Sequence, residues 1–148
     1  MPIRVAKIND LDELLALYGD LHTNDEPEPE RKKLEKVWLE ILSNKHQAVF
    51  VNEEDSQLVS SCILQVTPNL TRGARPYALI ENVVTKKDNR GQGHASNILK
   101  HALDYAWSGG CYKVMLMTGR DDPKIFALYE KAGFKRGVKT GFVAVAPK

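Results

Sequence analysis

The chain has 148 residues, of which 43% are hydrophobic and 27% charged, the make-up of a folded soluble domain rather than a disordered one. Its 21 Lys and Arg against 19 Asp and Glu leave a net charge of +2, too weak to argue for nucleic acid. No apolar run approaches the ~20 residues of a membrane-spanning helix. The two cysteines, Cys62 and Cys111, stand apart in apolar stretches without CxxC or Cys/His grouping. That excludes a zinc site, argues against a disulfide framework, and reads as two buried thiols in a reducing compartment. Patterned sequence starts directly after Met1-Pro2, with no signal peptide, so the expected location is the cytoplasm.

Ile3 to Ile8 reads as a short strand, and Asn9 or Asp10 caps a helix with Leu11, Leu14, Leu15 and Tyr18 on one face. Thr23 to Glu30 is an acidic, proline-containing loop. Leu34, Val37, Trp38, Ile41 and Leu42 form the stripe of a second helix. Gln47 to Asn52 and Leu58 to Thr67 are strands joined by a polar turn, and Pro68 to Pro76 is a loop. Tyr77 to Thr85 is a strong strand. Ala95, Ile98, Leu99, Ala102, Leu103 and Ala106 keep helical spacing without a miss until Gly109-Gly110. Tyr112 to Thr118 is a strand, and Pro123 opens a helix with Ile125, Leu128, Tyr129 and Ala132 inward. Phe134 to Arg136 and Gly141 to Ala146 are two closing strands. His22, His46 and His101 read as surface residues. The order, βαα-βββ-αβ-αββ, predicts one α/β domain over residues 1–148. Its mixed, mostly antiparallel sheet would have six to seven strands and carry about four helices on its two faces.

The informative segment is Asn89-Arg90-Gly91-Gln92-Gly93-His94-Ala95-Ser96, between the strongest strand and the strongest helix. Glycines let a backbone approach a ligand closely, and the first amides of a helix, with its dipole, suit a phosphate or pyrophosphate. Arg90 adds a cation. The alternative is a tight β–α turn without a ligand. The dinucleotide fingerprint fails for want of a third glycine and of an acidic residue after the next strand, and no GxxxxGK[ST] is present.

Arg90-x-x-Gly93-x-Ala95 resembles the R/Q-x-x-G-x-G/A motif of the GNAT acetyltransferase superfamily, and Leu128-Tyr129-Glu130-Lys131-Ala132-Gly133-Phe134 is similar to its YEKxGF signature. The order of elements agrees with that three-layer α-β-α fold over nearly the whole chain. From Ile80 to Phe134 the chain is most similar to glucosamine-6-phosphate N-acetyltransferases. Asp122 departs from the resemblance, standing where many members carry Asn.

The resemblance implies acetyl transfer from acetyl-CoA to an amine by direct attack, without a metal or an acyl-enzyme. By position, backbone amides of Val83, Val84 and Thr85 would polarise the thioester at a bulged strand. Arg90, Gly91, Gln92, Gly93, His94, Ala95 and Ser96 would hold the pyrophosphate, with Asp122 and Phe126 also beside coenzyme A. Tyr129 is the implied acid for the departing thiolate. Glu81, in the apolar run Ala78 to Val84, is either a base whose pKa partial burial raises or a strand carboxylate paired with Arg72 or Arg75. Eight Lys or Arg against three Asp or Glu over residues 109–148 would attract the adenosine 3′-phosphate or form a solvated face.

The acceptor is expected between Thr23 to Lys33 and Pro68 to Pro76, where Glu30 would suit an amine and Arg72 and Arg75 an anion, unless both are plain solvated loops. A small-molecule amine is the first reading. A peptide amine, or an acyl-CoA-binding regulator without catalysis, is the alternative. Family members are often homodimers, which makes a homodimer an open expectation.

Overall fold

The computed structural model describes residues 3–22 and 25–148. Five strands, β1 (Ile3–Val5), β2 (Gln47–Glu54), β3 (Gln57–Thr67), β4 (Tyr77–Thr85) and β5 (Val114–Met115), form one sheet in that order. The first three junctions are antiparallel and β4–β5 is parallel. β2 turns into β3 through Asp55 and Ser56, both with positive φ (51° and 63°), the twist that two-residue hairpins favour.

Helices cover both faces, as the alternation of buried residues requires. Phe50, Cys62, Leu64, Ala78 and Ile80 pack under Ile98, Leu99, Ala102 and Ala106 of α4 (His94–Ser108). On the other face Val49, Val51, Leu58 and Val84 meet Leu14 and Leu17 of α1 (Leu11–Leu21) and Trp38 of α2 (Arg31–Ser43). The central strands are buried on both sides, which is why they read as continuous apolar runs rather than clean alternations. One polar network fixes the entry to α1. Arg4 of β1 grips both carboxylate oxygens of buried Asp10 (2.7 and 3.0 Å) and reaches Glu53 at 2.9 Å. The Asp10 carboxylate also accepts the Lys7 amide at 2.6 Å. The guanidinium holds the Asp10 carboxyl below the usual carboxylate range against the opposing effect of burial.

Among the described residues the sheet has five strands, not six or seven, and the helices number five, not about four, with α3 (Thr71–Ala74) and α5 (Pro123–Lys131) completing the set. α3 is a single turn inside the expected 68–76 loop, interrupted by left-handed Arg72 and Gly73. β5 pairs with β4 at Ala78↔Val114 and Leu79↔Met115, and Tyr112 and Lys113 bond to Pro76 and Ala78, so only Leu116 to Thr118 of the expected 112–118 strand leave their neighbour. Phe134 to Arg136 and Gly141 to Ala146 form no strand, because no backbone among the described residues pairs alongside them. His101 is half-buried, its ring edge-on to Phe50 at 4.9 Å, and is not a free surface residue. No helix among the described residues is long and apolar enough to cross a membrane.

Candidate active site

The site grows out of an irregularity in β4. Ser61 pairs with Val84 and Ile63 with Glu81, leaving Cys62 opposite both Asn82 and Val83. Asn82 takes a left-handed conformation (φ 52°), the bend of a bulge. The bulge shifts the side-chain alternation by one residue. Ala78 and Ile80 face α4, and so does Val83, whereas Val84 faces α1. A regular strand would have sent Asn82 and Val84 toward α4. The sequence gives little warning, since the bulge residue is not a glycine; Asn is the side chain that tolerates this conformation best. The Tyr18 hydroxyl of α1 faces Asn82, and burial pushes that phenol up to about 12. Neither residue was singled out by sequence.

The β4–β5 ladder ends at Leu79↔Met115, and the bulged end of β4 has no described strand partner on that side, which leaves a gap in the pairing beside the bulge. Glu81 lies on the α1 face and is exposed, not partly buried as expected. Tyr129 of α5 packs against the α4-side core, edge-on to Phe134 at 6.3 Å. Burial raises the Tyr129 phenol above its ordinary pKa, with Arg120 pulling weakly the other way. The two candidate catalytic side chains therefore sit on opposite faces of the sheet and can share one reacting group only across the gap.

Past the end of β4 the chain turns through Lys86 to Gly93 into α4. Gly91 and Gly93 have φ of 79° and 84°, and a Cβ built at either meets nothing within 4 Å. The Asn97 amide is the first to find an acceptor in the helix, at Gly93 O. The amides of His94, Ala95 and Ser96 are thus left for a ligand at the positive end of a 15-residue helix. Arg90 is exposed but tethered, its guanidinium donating to Thr85 O (3.3 Å) and Asp20 O (3.2 Å). Gln92 is exposed. The His94 imidazole turns inward, buried beside Asn52 and Glu54, which leaves only its backbone amide on the turn's outer side. Asp122 is committed as the N-cap of α5, its Oδ1 accepting the Lys124 amide at 2.9 Å. Phe126 is half-buried beneath the Arg136 guanidinium, 4.0 Å from its ring centre.

The residues expected around the acceptor are not brought together. Arg75 is six residues from Glu81, about 20 Å of extended strand, and its guanidinium lies over the Tyr112 ring at 5.5 Å. Arg72 is exposed on the strained α3 turn. Neither arginine pairs with Glu81. Glu30 is exposed just ahead of α2; Thr23 and Asn24 of the same loop fall outside the described residues. Cys62 and Cys111 are both buried free thiols, and burial pushes Cys62 up to about 12.

Bulged strand, interrupted β4–β5 ladder, glycine turn and tyrosine-bearing helix lie together at one end of the sheet, and comparison with known proteins gives the class as an acyltransferase. The model of the Acetyltransferase (GNAT) family matches residues 11–134, and the chain belongs to that family. It is 30% identical over 141 residues to the glucosamine 6-phosphate N-acetyltransferase of Trypanosoma brucei brucei, covering 91% of this chain and 89% of that protein. Among solved structures it is similar to an acetyltransferase of Agrobacterium tumefaciens str. C58 (TM-score 0.93, 42% identity, 99% of this chain and 100% of that one). It also resembles a transcriptional regulator of Bacillus halodurans C-125 (TM-score 0.84, 26% identity, 97% and 98%). The expected acyltransferase class is thereby shown.

Proposed function

We propose that the chain transfers acetyl from acetyl-CoA, by direct attack, to the primary amine of a small molecule, with an amino-sugar phosphate the first candidate. The observation that carries this is the end of the β4–β5 ladder just before the Asn82 bulge, on the strand that runs through the glycine turn into α4. A thioester lying there has its carbonyl beside the amides of Val83, Val84 and Thr85, and its pyrophosphate at Gly91 to Ser96. The amine approaches from the Glu81 face, where an exposed carboxylate can take its proton directly or through water. The thiolate leaves toward the Tyr129 face. The trypanosomal relative's substrate supports an amino-sugar phosphate. A single-chain contact of that phosphate with Arg75 is not part of the proposal, given the span along β4. The buried free thiols suit the cytoplasm.

The test is release of free CoA thiol from acetyl-CoA in the presence of glucosamine 6-phosphate, polyamines, amino acids and amine-terminated peptides. Turnover with an amino-sugar phosphate is expected. Turnover only with peptides would assign a protein acetyltransferase, and tight CoA binding without thiol release would assign a regulator.

We further propose that the chain works as a homodimer through its last residues. Val138, Phe142, Val143 and Val145 are 69%, 90%, 74% and 84% exposed, and among the described residues no backbone hydrogen bond joins residues 135–148 to another segment. Apolar residues on both sides of an extended segment suit a strand covered on both faces. This segment passes β5, with a Cβ at Gly141 only 3.1 Å from Met117 Sδ, without pairing there. The outer edge of β5 is also open, so the same edge and strand on a second copy satisfy both reciprocally. Light scattering should give a dimer for the full chain and a monomer for Phe142→Glu/Val145→Glu; a monomeric full chain would refute the arrangement.

A further inference from the structure

We infer that His94 is a positioning residue for the phosphate-binding turn, its imidazole tying the first turn of α4 to β2 through Asn52 and Glu54. The inference rests on the proposed placement of the pyrophosphate at that turn. His94 contributes its backbone amide to the ligand side, while its side chain points the other way and is 9% exposed. Nδ1 lies 3.1 Å from Asn52 Nδ2, and Nε2 lies 3.1 Å from Glu54 Oε2. With Asn52 donating to Nδ1, the ring proton sits on Nε2, facing the carboxylate.

The surroundings argue against mere filling of space. Asn52 is 2% exposed, within a strand otherwise packed with Val49, Phe50 and Val51. Asn52 Oδ1, Ser60 Oγ and His94 Nε2 are buried without a well-directed hydrogen bond, and Asn52 pairs with Ser60 across the hairpin. Three under-satisfied polar atoms in one spot are costly where apolar side chains would fit. What the polar group supplies is direction: an aliphatic residue can sink to the same depth in several rotations, whereas the imidazole contacts Asn52 and Glu54 in only one.

The turn needs such a fixture. Gly91, Gln92 and Gly93 donate no backbone hydrogen bond to another described segment, and two left-handed glycines give the turn little conformational restraint of its own. Upstream, Arg90 and the Lys87 amide clamp the turn to Asp20. Downstream, the fully buried apolar residues of α4 begin only at Ile98. Among the described residues, His94 supplies the one side-chain link to the sheet within the turn of helix whose amides face the anion. Loosening it lets those three amides lose their common aim.

The experiment is an NMR titration of the full chain with CoA and with pantetheine, which lacks the pyrophosphate; the method reads millimolar and micromolar dissociation constants alike. His94→Leu is expected to weaken CoA about tenfold, the scale of a well-placed anion at a helix N-terminus, and to leave pantetheine unchanged. His94→Gln, whose amide can accept from Asn52 and donate toward Glu54, should recover most of the loss. Asn52→Leu should reproduce the loss, and the double variant should be no weaker than either single one. CoA binding by folded His94→Leu at wild-type strength overturns the inference, as does an equal loss for both ligands. If His94→Leu does not fold, the comparison of His94→Gln with Glu54→Gln decides in its place: CoA weakened selectively by Glu54→Gln supports the tie, and unchanged affinity in both overturns it. A wild-type chain that binds CoA no better than pantetheine refutes instead the placement of pyrophosphate at the turn.

Discussion

Tyr129→Phe should lower kcat for acetyl transfer by about 10²–10³-fold while leaving CoA affinity within about twofold. The variant keeps the ring, and with it the edge-on contact with Phe134 and the packing against the α4-side core. Only the hydroxyl is lost. Its proposed partner is the thiolate that departs as the amide forms. A free thiol has a pKa near ~8.5 and a phenol near ~10, so complete transfer of the phenolic proton is uphill by about 2 kcal/mol in water. Burial raises Tyr129 further, and a thiolate in the same gap is desolvated as well. The hydroxyl therefore acts first as a hydrogen-bond donor to charge growing on sulfur, and a proton passes fully only if the thiolate is the more strongly destabilised of the two. The sign of the shift also fixes a pH expectation. A raised phenol pKa keeps the donor form present beyond the ordinary value, so the tyrosine contributes no alkaline fall in kcat below about pH 10. Stopped-flow thiol release across pH, with calorimetric CoA titration of both proteins, checks each part. Unchanged kcat in Tyr129→Phe would remove the assignment.

What the sequence made legible was whatever depends on periodicity and local turn chemistry. The stripe from Ala95 to Ala106, the Tyr77 to Thr85 strand and the Pro123 start of the last long helix are recovered because each is set by neighbours in the chain. The glycine turn was legible for the same reason: Gly91 and Gly93 do hold positive φ. Features set by distant partners were not. The bulge at Asn82 depends on β3 running past Cys62, and no local pattern marks it. His94 reads as one more loop residue until Asn52 and Glu54, about forty residues earlier in the chain, are placed beneath it. Residues 141–146 carry a strand's composition, but a strand also needs a neighbour, and composition does not say which chain provides it.

Gly93→Val should weaken CoA by about 100-fold or more, with only a modest loss of stability. At φ 84° a β-branched residue is strained, which costs on the order of 1–3 kcal/mol and would lower Tm by several degrees in a domain this size. Beyond its two chain neighbours, no described residue comes within 4 Å of the new Cβ, so the Cβ itself meets no obstacle. The larger effect is on the ligand. On the proposed placement of the pyrophosphate, the branched side chain crowds a phosphate approaching the amides of His94, Ala95 and Ser96. A charge-assisted hydrogen bond of this kind contributes about 1.5–3 kcal/mol, so loss of two exceeds the strain term. Gly93→Asn separates the two contributions. Asn accepts left-handed backbone at little cost but still fills the approach. It should therefore melt within about 2 °C of the wild type, since a few tenths of a kcal/mol moves Tm no further, while binding CoA at least about tenfold more weakly. Differential scanning calorimetry and CoA titration of the two variants give both quantities. If Gly93→Asn bound CoA like the wild type, the open side of the turn would not be where the phosphates lie, and the glycines would serve the turn alone.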